Sequence, residues 1–327
     1  MNVWSLLERA FGWGGVIAYH GVGESPNAPV MHVSPARLQS QLQLLRDRYQ
    51  IVPLRELVSR WHSGASTRDC VAITFDDAYA GVLVHAAPIL RSLAIPATVF
   101  VASDHAAIGA TYWWDDVEHK LTESTGPAWA NDLDALELSP TVHETPVTLD
   151  RIRSAVLARF AGRWPGGLTP GGESIWRSMN FAELKALAAD EKIDFAVHTL
   201  SHPALPLLPY DEQVSEMKDN LALLERMLPR VIPVVAYPYG LYDQTTVRAA
   251  RAAGMVAGVT MEGRATADHP DPMIVPRIGA GDVHVPTSLT HRLNRALRPA
   301  IVIRNGGRHP RIPVESNSRV SRQRVEM

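Results

Sequence analysis

Two adjacent carboxylates, Asp76 and Asp77, follow the apolar run VAITF at 71–75. Two buried, unpaired carboxylates would be costly, and neighbouring residues at a strand end point to opposite sides. One Asp therefore suits a cation and the other a base. An Asp after a strand also commonly opens the next helix as its N-cap, and the doublet alone fits both readings. A second pair, His198 and His202, lies in FAVHTLSHP with three residues between the imidazoles. On a helical turn that spacing puts both rings on one side. Two hydrogen-bonded structural histidines would look the same. With an Asp from another strand end, however, the pair supplies the two-nitrogen, one-oxygen set of an open catalytic metal site, leaving positions for water and substrate.

Three further elements carry functional groups. In AYPYG at 236–240, Pro238 and Gly240 shape a rigid turn around Tyr239. Such a turn can aim a backbone N–H at a developing oxyanion, or be no more than a turn. His20 closes the run IAYH, where a histidine is also at home as a hydrogen-bonded structural residue. Trp113, Trp114, Asp115 and Asp116 form a WWDD cluster; its flat aromatic faces suit stacking on a pyranose ring and equally suit packing.

Most of these groups fall at the ends of apolar runs. Segments 16–20, 71–75, 97–102, 193–197, 234–237 and 255–260 read as strands. Between them lie helical patterns. Ser34 caps a helix with Pro35 at its first position and Leu38, Leu42 and Leu45 on one face. Others extend to about residue 93, over 181–189, and from about residue 211. On the last, Val214, Met217, Leu221, Leu224 and Leu228 step by three and four. A further helix precedes Gly254, which suits its end. Strand and helix alternating in this way imply parallel strands with helical crossovers. The expected fold is α/β, a distorted or incomplete (β/α) barrel rather than an open doubly wound sheet. No Gly-rich phosphate loop follows any strand, so nucleotide-binding fingerprints are absent. Segment 104–178 breaks the rhythm and reads as a helical insertion beside the site.

TFDDAY (74–79), HTLSH (198–202) and AYPYG (236–240), in this order, resemble the NodB-like polysaccharide deacetylases, carbohydrate esterase family four. The likeness covers about 15–280. The opening YHGV and the later VPRIG (275–279) resemble the branch with circularly shifted motifs that includes the bacterial exopolysaccharide deacetylases. This resemblance implies a distorted barrel and metal-dependent hydrolysis of an N-acetyl group on an amino sugar. It implies a divalent cofactor, zinc above all, held by Asp77, His198 and His202. Asp76 matches the general base, Tyr239 the residue whose backbone N–H holds the oxyanion, and His20 the general acid of the shifted branch. Tyr79, Pro238 and Tyr239 within these motifs, and Trp114 of the WWDD cluster, are the expected substrate contacts. Two departures stand out: Ala78 replaces the usual Gly of the first motif, tolerable unless a positive φ is required, and Ala236 replaces the Arg that tethers the base. Arg277 is the candidate replacement for that guanidinium; a surface Arg at a strand end is the alternative. A non-catalytic sugar-binding or scaffolding relative would explain the missing Arg, and a metal-free amidohydrolase on the same fold would change the bond cleaved. The intact Asp-His-His set argues against both.

Composition sets the outer bounds. With 327 residues, 46% hydrophobic and 20% charged, the chain can build a sizeable core. Its single cysteine, Cys70, excludes an intrachain disulfide framework and a multi-Cys zinc site. A net charge of −2 makes no global case for nucleic acid, but nine Arg and two Glu fall within 292–327. The barrel is expected over 1–290 and an Arg-rich tail over 291–327. Arginines near anionic headgroups contribute about 1 kcal/mol each, so the tail suits peripheral membrane contact; a solvated terminus is the plainer reading. Trp4, Leu7 and Phe11 recur at helical spacing, as ordinary packing or a membrane-surface contact. Glu8 and Arg9 stand where a secretory peptide keeps its apolar run, so the expected location is cytoplasmic, at most peripheral at the inner membrane face. That location favours a nucleotide- or lipid-linked N-acetylated saccharide as substrate.

Overall fold

Gly15–Tyr19 (β1) is buried along its whole length, the mark of a strand covered on both faces. In the computed structural model, which describes residues 15–24, 32–117, 131, 133–138, 149–262 and 271–280, seven strands are joined in parallel. They are β1, β3 (Cys70–Phe75), β4 (Ala97–Val101), β5 (Ile193–Val197), β6 (Val231–Ala236), β7 (Ala257–Thr260) and β8 (Val275–Gly279). The order runs β1-β8-β7-β6-β5-β4-β3, and pairing of β1 with β3 closes the barrel. The eighth strand, β2 (Gln50–Ile51), pairs only with the start of β3. The result is a distorted (β/α) barrel of seven closed strands.

The crossovers are α1 (Pro35–Arg46), α2 (Leu54–Ser63), a π-helical turn Val82–Ala86 running into α3 (Ala87–Leu93), α4 (Ser103–Ile108), α5 (Leu149–Phe160), α6 (Phe181–Leu187), α7 (Tyr210–Met227) and α8 (Gln244–Ala252). Ser34 caps α1, its hydroxyl accepting from the Arg37 N–H, and Asn180 with Glu183 forms a reciprocal capping box on α6. Leu38, Leu42 and Leu45 of α1 and Leu184 of α6 pack with the outward-facing Ile73, Val99 and Phe195. The inward-facing Ala72, Phe100, Ala196, Val234 and Val259 share a cluster with Leu54, Leu57, Val58 and Trp61. Helix α2 therefore plugs the end of the barrel where the strands begin, and the mouth at their C-terminal ends stays free for function.

Within 104–178, Trp113, Val117, Leu133, Leu136, Leu138, Ile152 and Val156 form a small core of their own, and antiparallel bridges Ala110–Pro170 and Thr111–Arg177 close its stem. Trp4, Leu7, Phe11 and segment 291–327 lie outside the described residues. Among the described residues, no helix is long and apolar enough to cross a membrane.

Candidate active site

At the exit of β3, the Asp76 N–H donates to Tyr19 O at 2.9 Å, tying the turn to β1. The carboxylate meets Arg277 as a two-pronged pair, Nη1 to Oδ1 at 2.7 Å and Nη2 to Oδ2 at 2.6 Å. Arg277 sits on β8 with no exposed surface, inside the barrel. Its Nε donates to Thr260 O and its Nη1 to Thr74 Oγ1, both at 3.2 Å, and its guanidinium lies 5.4 Å from the centre of the Phe100 ring. A surface position for Arg277 is thereby excluded. Burial works to raise the Asp76 pKa, but the guanidinium prevails and holds it below the usual carboxylate range. His20 Nε2 lies 3.8 Å from Asp76 Oδ2. Burial lowers the His20 pKa against the pull of Asp76 and Asp77.

Asp77 (φ 65) and Ala78 (φ 49) both occupy the left-handed region, so the positive φ that would favour glycine at position 78 is present. The kinked turn faces Asp77 away from Asp76 and towards the histidines. Neither Asp caps a helix. His198 Nε2 and His202 Nε2 lie 3.3 and 3.4 Å from the same oxygen, Asp77 Oδ1, and one ligand atom from each of the three residues lies within 4.8 Å of the others. That oxygen is buried and satisfied by no hydrogen bond, an expensive arrangement unless something positive sits between the three groups. His198 is already set for ligation: its Nδ1–H donates to Ala236 O at 2.8 Å, which leaves the Nε2 lone pair facing Asp77. Burial and the neighbouring His198 push the His202 pKa down to about 3, keeping it neutral, the state in which imidazole ligates. The donor set fits a divalent ion of the zinc class.

The two histidines do not share a helical turn. The chain after β5 is an irregular loop with Thr199 (φ 67) and His202 (φ 57) left-handed, and the rings approach to 4.7 Å between centres. The His202 N–H donates to Thr199 Oγ1 at 3.1 Å, and Asp104 N–H at the start of α4 donates to Leu200 O at 3.0 Å. A register shift between Ala196 and Val197 lies immediately below, re-aiming the strand end as bulges do.

Beyond His202 opens a groove of about 200 Å³ lined by Trp113, Trp114, Trp164, Tyr239, His105 and Arg163 among others. The Trp114 ring lies 5.2 Å from that of His202 and 5.9 Å from that of Tyr239. Tyr239 (φ 58) turns its ring onto His202 at 4.8 Å, with its hydroxyl donating to Gly162 O at 2.6 Å. Two expected substrate contacts are corrected. Tyr79 is fully buried; its hydroxyl donates to Asp115 Oδ2 at 2.6 Å and accepts from Trp114 Nε1 at 2.9 Å, so it orients Trp114 rather than touching a ligand. Pro238 is buried in the turn and shapes it.

The polysaccharide deacetylase family model matches residues 63–125 and 171–258, which hold the Asp doublet, the histidine loop and the tyrosine turn. Over these segments the chain is similar to the polysaccharide deacetylase family. The Bacillus subtilis protein YxkH, which bears the family's name, is 23% identical over 249 residues, 76% of this chain and 64% of its own length. The chain thus spans less than two thirds of that relative. Among solved structures, the Streptococcus pyogenes deacetylase PplD, determined in complex with acetate, matches with a TM-score of 0.59 at 20% identity, covering 86% of this chain and 98% of its own. IcaB from Ammonifex degensii matches with a TM-score of 0.56 at 20% identity, covering 83% and 93%. At that identity the likeness is one of fold.

Several buried polar residues in and around the site escaped the sequence reading. His32 Nε2 lies 3.1 Å from Asp115 Oδ1, extending the chain that holds Trp114. His105 stacks on Tyr112 at 4.3 Å, and burial brings its pKa down to about 4. Gln213, Glu216 and Asn220 share the buried face of α7, and Asn220 Nδ2 donates to Val101 O and Ser103 Oγ. The available signal was their three- and four-residue spacing within the apolar stripe of α7, which marks polar groups turned inward.

Proposed function

We propose that the chain hydrolyses an N-acetyl group from an amino sugar of a polysaccharide or glycan intermediate, with a divalent ion held by Asp77, His198 and His202. The carrying observation is the convergence of those three ligand atoms within 4.8 Å around a carboxylate oxygen that lacks any hydrogen bond. The ion, zinc by the character of the donors, supplies a Lewis acid that polarises the amide carbonyl and acidifies water. Asp76 is the base that takes the proton of the attacking water; Arg277 keeps it ionised and fixes its plane. The backbone N–H of Tyr239 serves the developing oxyanion from the turn after β6. His20, across Asp76 from Arg277, returns the proton to the departing amine. Because burial lowers its pKa, it acts by drawing that proton from the Asp76 side during turnover rather than by resting as an imidazolium. Trp114 and Tyr239 form the aromatic wall for the sugar ring. Arg277 supplies the guanidinium whose loss at Ala236 would have favoured a purely sugar-binding relative.

The test is acetate release from a panel of N-acetylated saccharides, free, nucleotide-linked and lipid-linked, with Asp76→Asn alongside the unaltered chain. The expected result is release by the unaltered chain and a loss of about 10²–10⁴-fold in Asp76→Asn with metal content intact. Equal release by both proteins would overturn the assignment of the base.

A further inference from the structure

The insertion does more than wall the groove. At the end of α5, the turn 161–163 reaches the two loops that carry the site. Ala161 O accepts the Ala204 N–H at 2.6 Å, just past the histidine loop. Gly162 O accepts from Tyr239 Oη at 2.6 Å and from Trp113 Nε1 at 3.2 Å. Gly162 has φ +87, and a Cβ there would stand 2.6 Å from the Tyr239 ring, so the approach demands glycine. Arg163 makes the decisive contacts. Its Nε donates to Ser201 Oγ at 2.8 Å and its Nη2 to Glu216 Oε1 at 2.7 Å. Glu216, on α7, in turn accepts the Ser201 N–H through Oε2 at 2.9 Å and the Ser201 hydroxyl through Oε1 at 2.7 Å. Ser201 directly precedes His202, whose left-handed backbone (φ 57) is sparsely populated for a non-glycine residue and persists only where its surroundings impose it.

We propose that Arg163 is a positioning residue: bridging Ser201 and Glu216, it imposes the backbone of the histidine loop and so presents His202 to the metal. This rests on the metal site proposed above. Arg163 and His202 line the same groove, so the clamp joins the substrate wall to a ligand of the ion. Arg163 acts on the ion only through its neighbours. Groups that orient a ligating histidine change metal affinity by about 10–100-fold when removed.

The experiment is zinc competition against a chromophoric chelator, on the full chain, for the unaltered protein, Arg163→Met, Arg163→Lys and Ser201→Ala, with thermal unfolding recorded for each. The expected result is a zinc Kd raised about 10-fold or more in Arg163→Met, largely recovered in Arg163→Lys, whose ammonium still reaches the Glu216 carboxylate. Ser201→Ala, a smaller change to the same link, should raise the Kd in the same direction and serves if Arg163→Met does not fold. A Kd within twofold of the unaltered chain in folded Arg163→Met or Ser201→Ala would overturn the clamp while leaving the metal site standing. No zinc uptake by the unaltered chain would overturn the metal reading itself.

Discussion

Arg277 and Asp76 are 201 positions apart in the chain and meet through two hydrogen bonds in the barrel interior. Removing one member of a buried pair leaves the other charged and alone, which costs about 3–5 kcal/mol. Arg277→Met should therefore destabilise by that order in urea unfolding at pH 7. The pH dependence has a definite sign. The folded Asp76 pKa is depressed, so its contribution to stability is present above the unfolded carboxylate value near 3.9 and is lost as pH falls through the folded value. The gap between variant and unaltered chain should narrow in acid, and the acid limb of the activity profile should move to higher pH in the variant. Ala78 offers a test of strain. Relief of a left-handed alanine, about 1–2 kcal/mol, outweighs the roughly 0.8 kcal/mol of a lost buried methyl, so Ala78→Gly should leave stability unchanged or slightly raised. A loss above about 1 kcal/mol would contradict the strain argument. The sequence made the TFDD, HTLSH and YPYG groups legible because their types and order are distinctive. It did not show Glu216, Arg163 or His32, which are ordinary polar residues until the fold turns them inward.

The elements were readable where periodicity was clean. β1, β3, β4 and β5 and helices α1, α6 and α7 fall within a residue or two of expectation. β6 starts earlier than its apolar run suggests, at Val231, because Pro233 and the register shift against β5 interrupt the pattern. β7 starts later, at Ala257, since Met255 and Val256 still belong to the turn leaving α8. The histidine spacing suggested a helical turn where Thr199 and His202 instead take left-handed conformations; a spacing of four does not distinguish a helix from a tightly folded loop. Helix α2 went unread, although Leu54, Leu57, Val58 and Trp61 recur at helical spacing and close the barrel floor. Leu57→Ala should cost about 2–5 kcal/mol, measured by chemical unfolding. KM and kcat should stay within about twofold of the unaltered values, because the plug lies at the opposite end from the site. A large fall in kcat with stability unchanged would contradict that separation.

At the scale of the whole molecule, closure explains why distant motifs form one site. Pairing of β1 with both β8 and β3 brings His20, Arg277 and Asp76 to one side of the mouth. β5 and β6 deliver His198 and the turn holding Tyr239, and the insertion lays Trp114 against both His202 and Tyr239. Alternating strands and helices predicted a barrel, but not its count of seven closed strands, which depends on pairings between residues far apart in the chain. An ion shared by Asp77, His198 and His202 is the centre of the proposed chemistry. The direct measurement is elemental analysis of the purified chain after zinc loading and removal of excess metal, with His202→Ala treated identically. About one zinc per unaltered chain is expected, with loss of both the metal and acetate release in His202→Ala. Acetate release by an unaltered chain that retains no metal, or full zinc retention by His202→Ala, would contradict it.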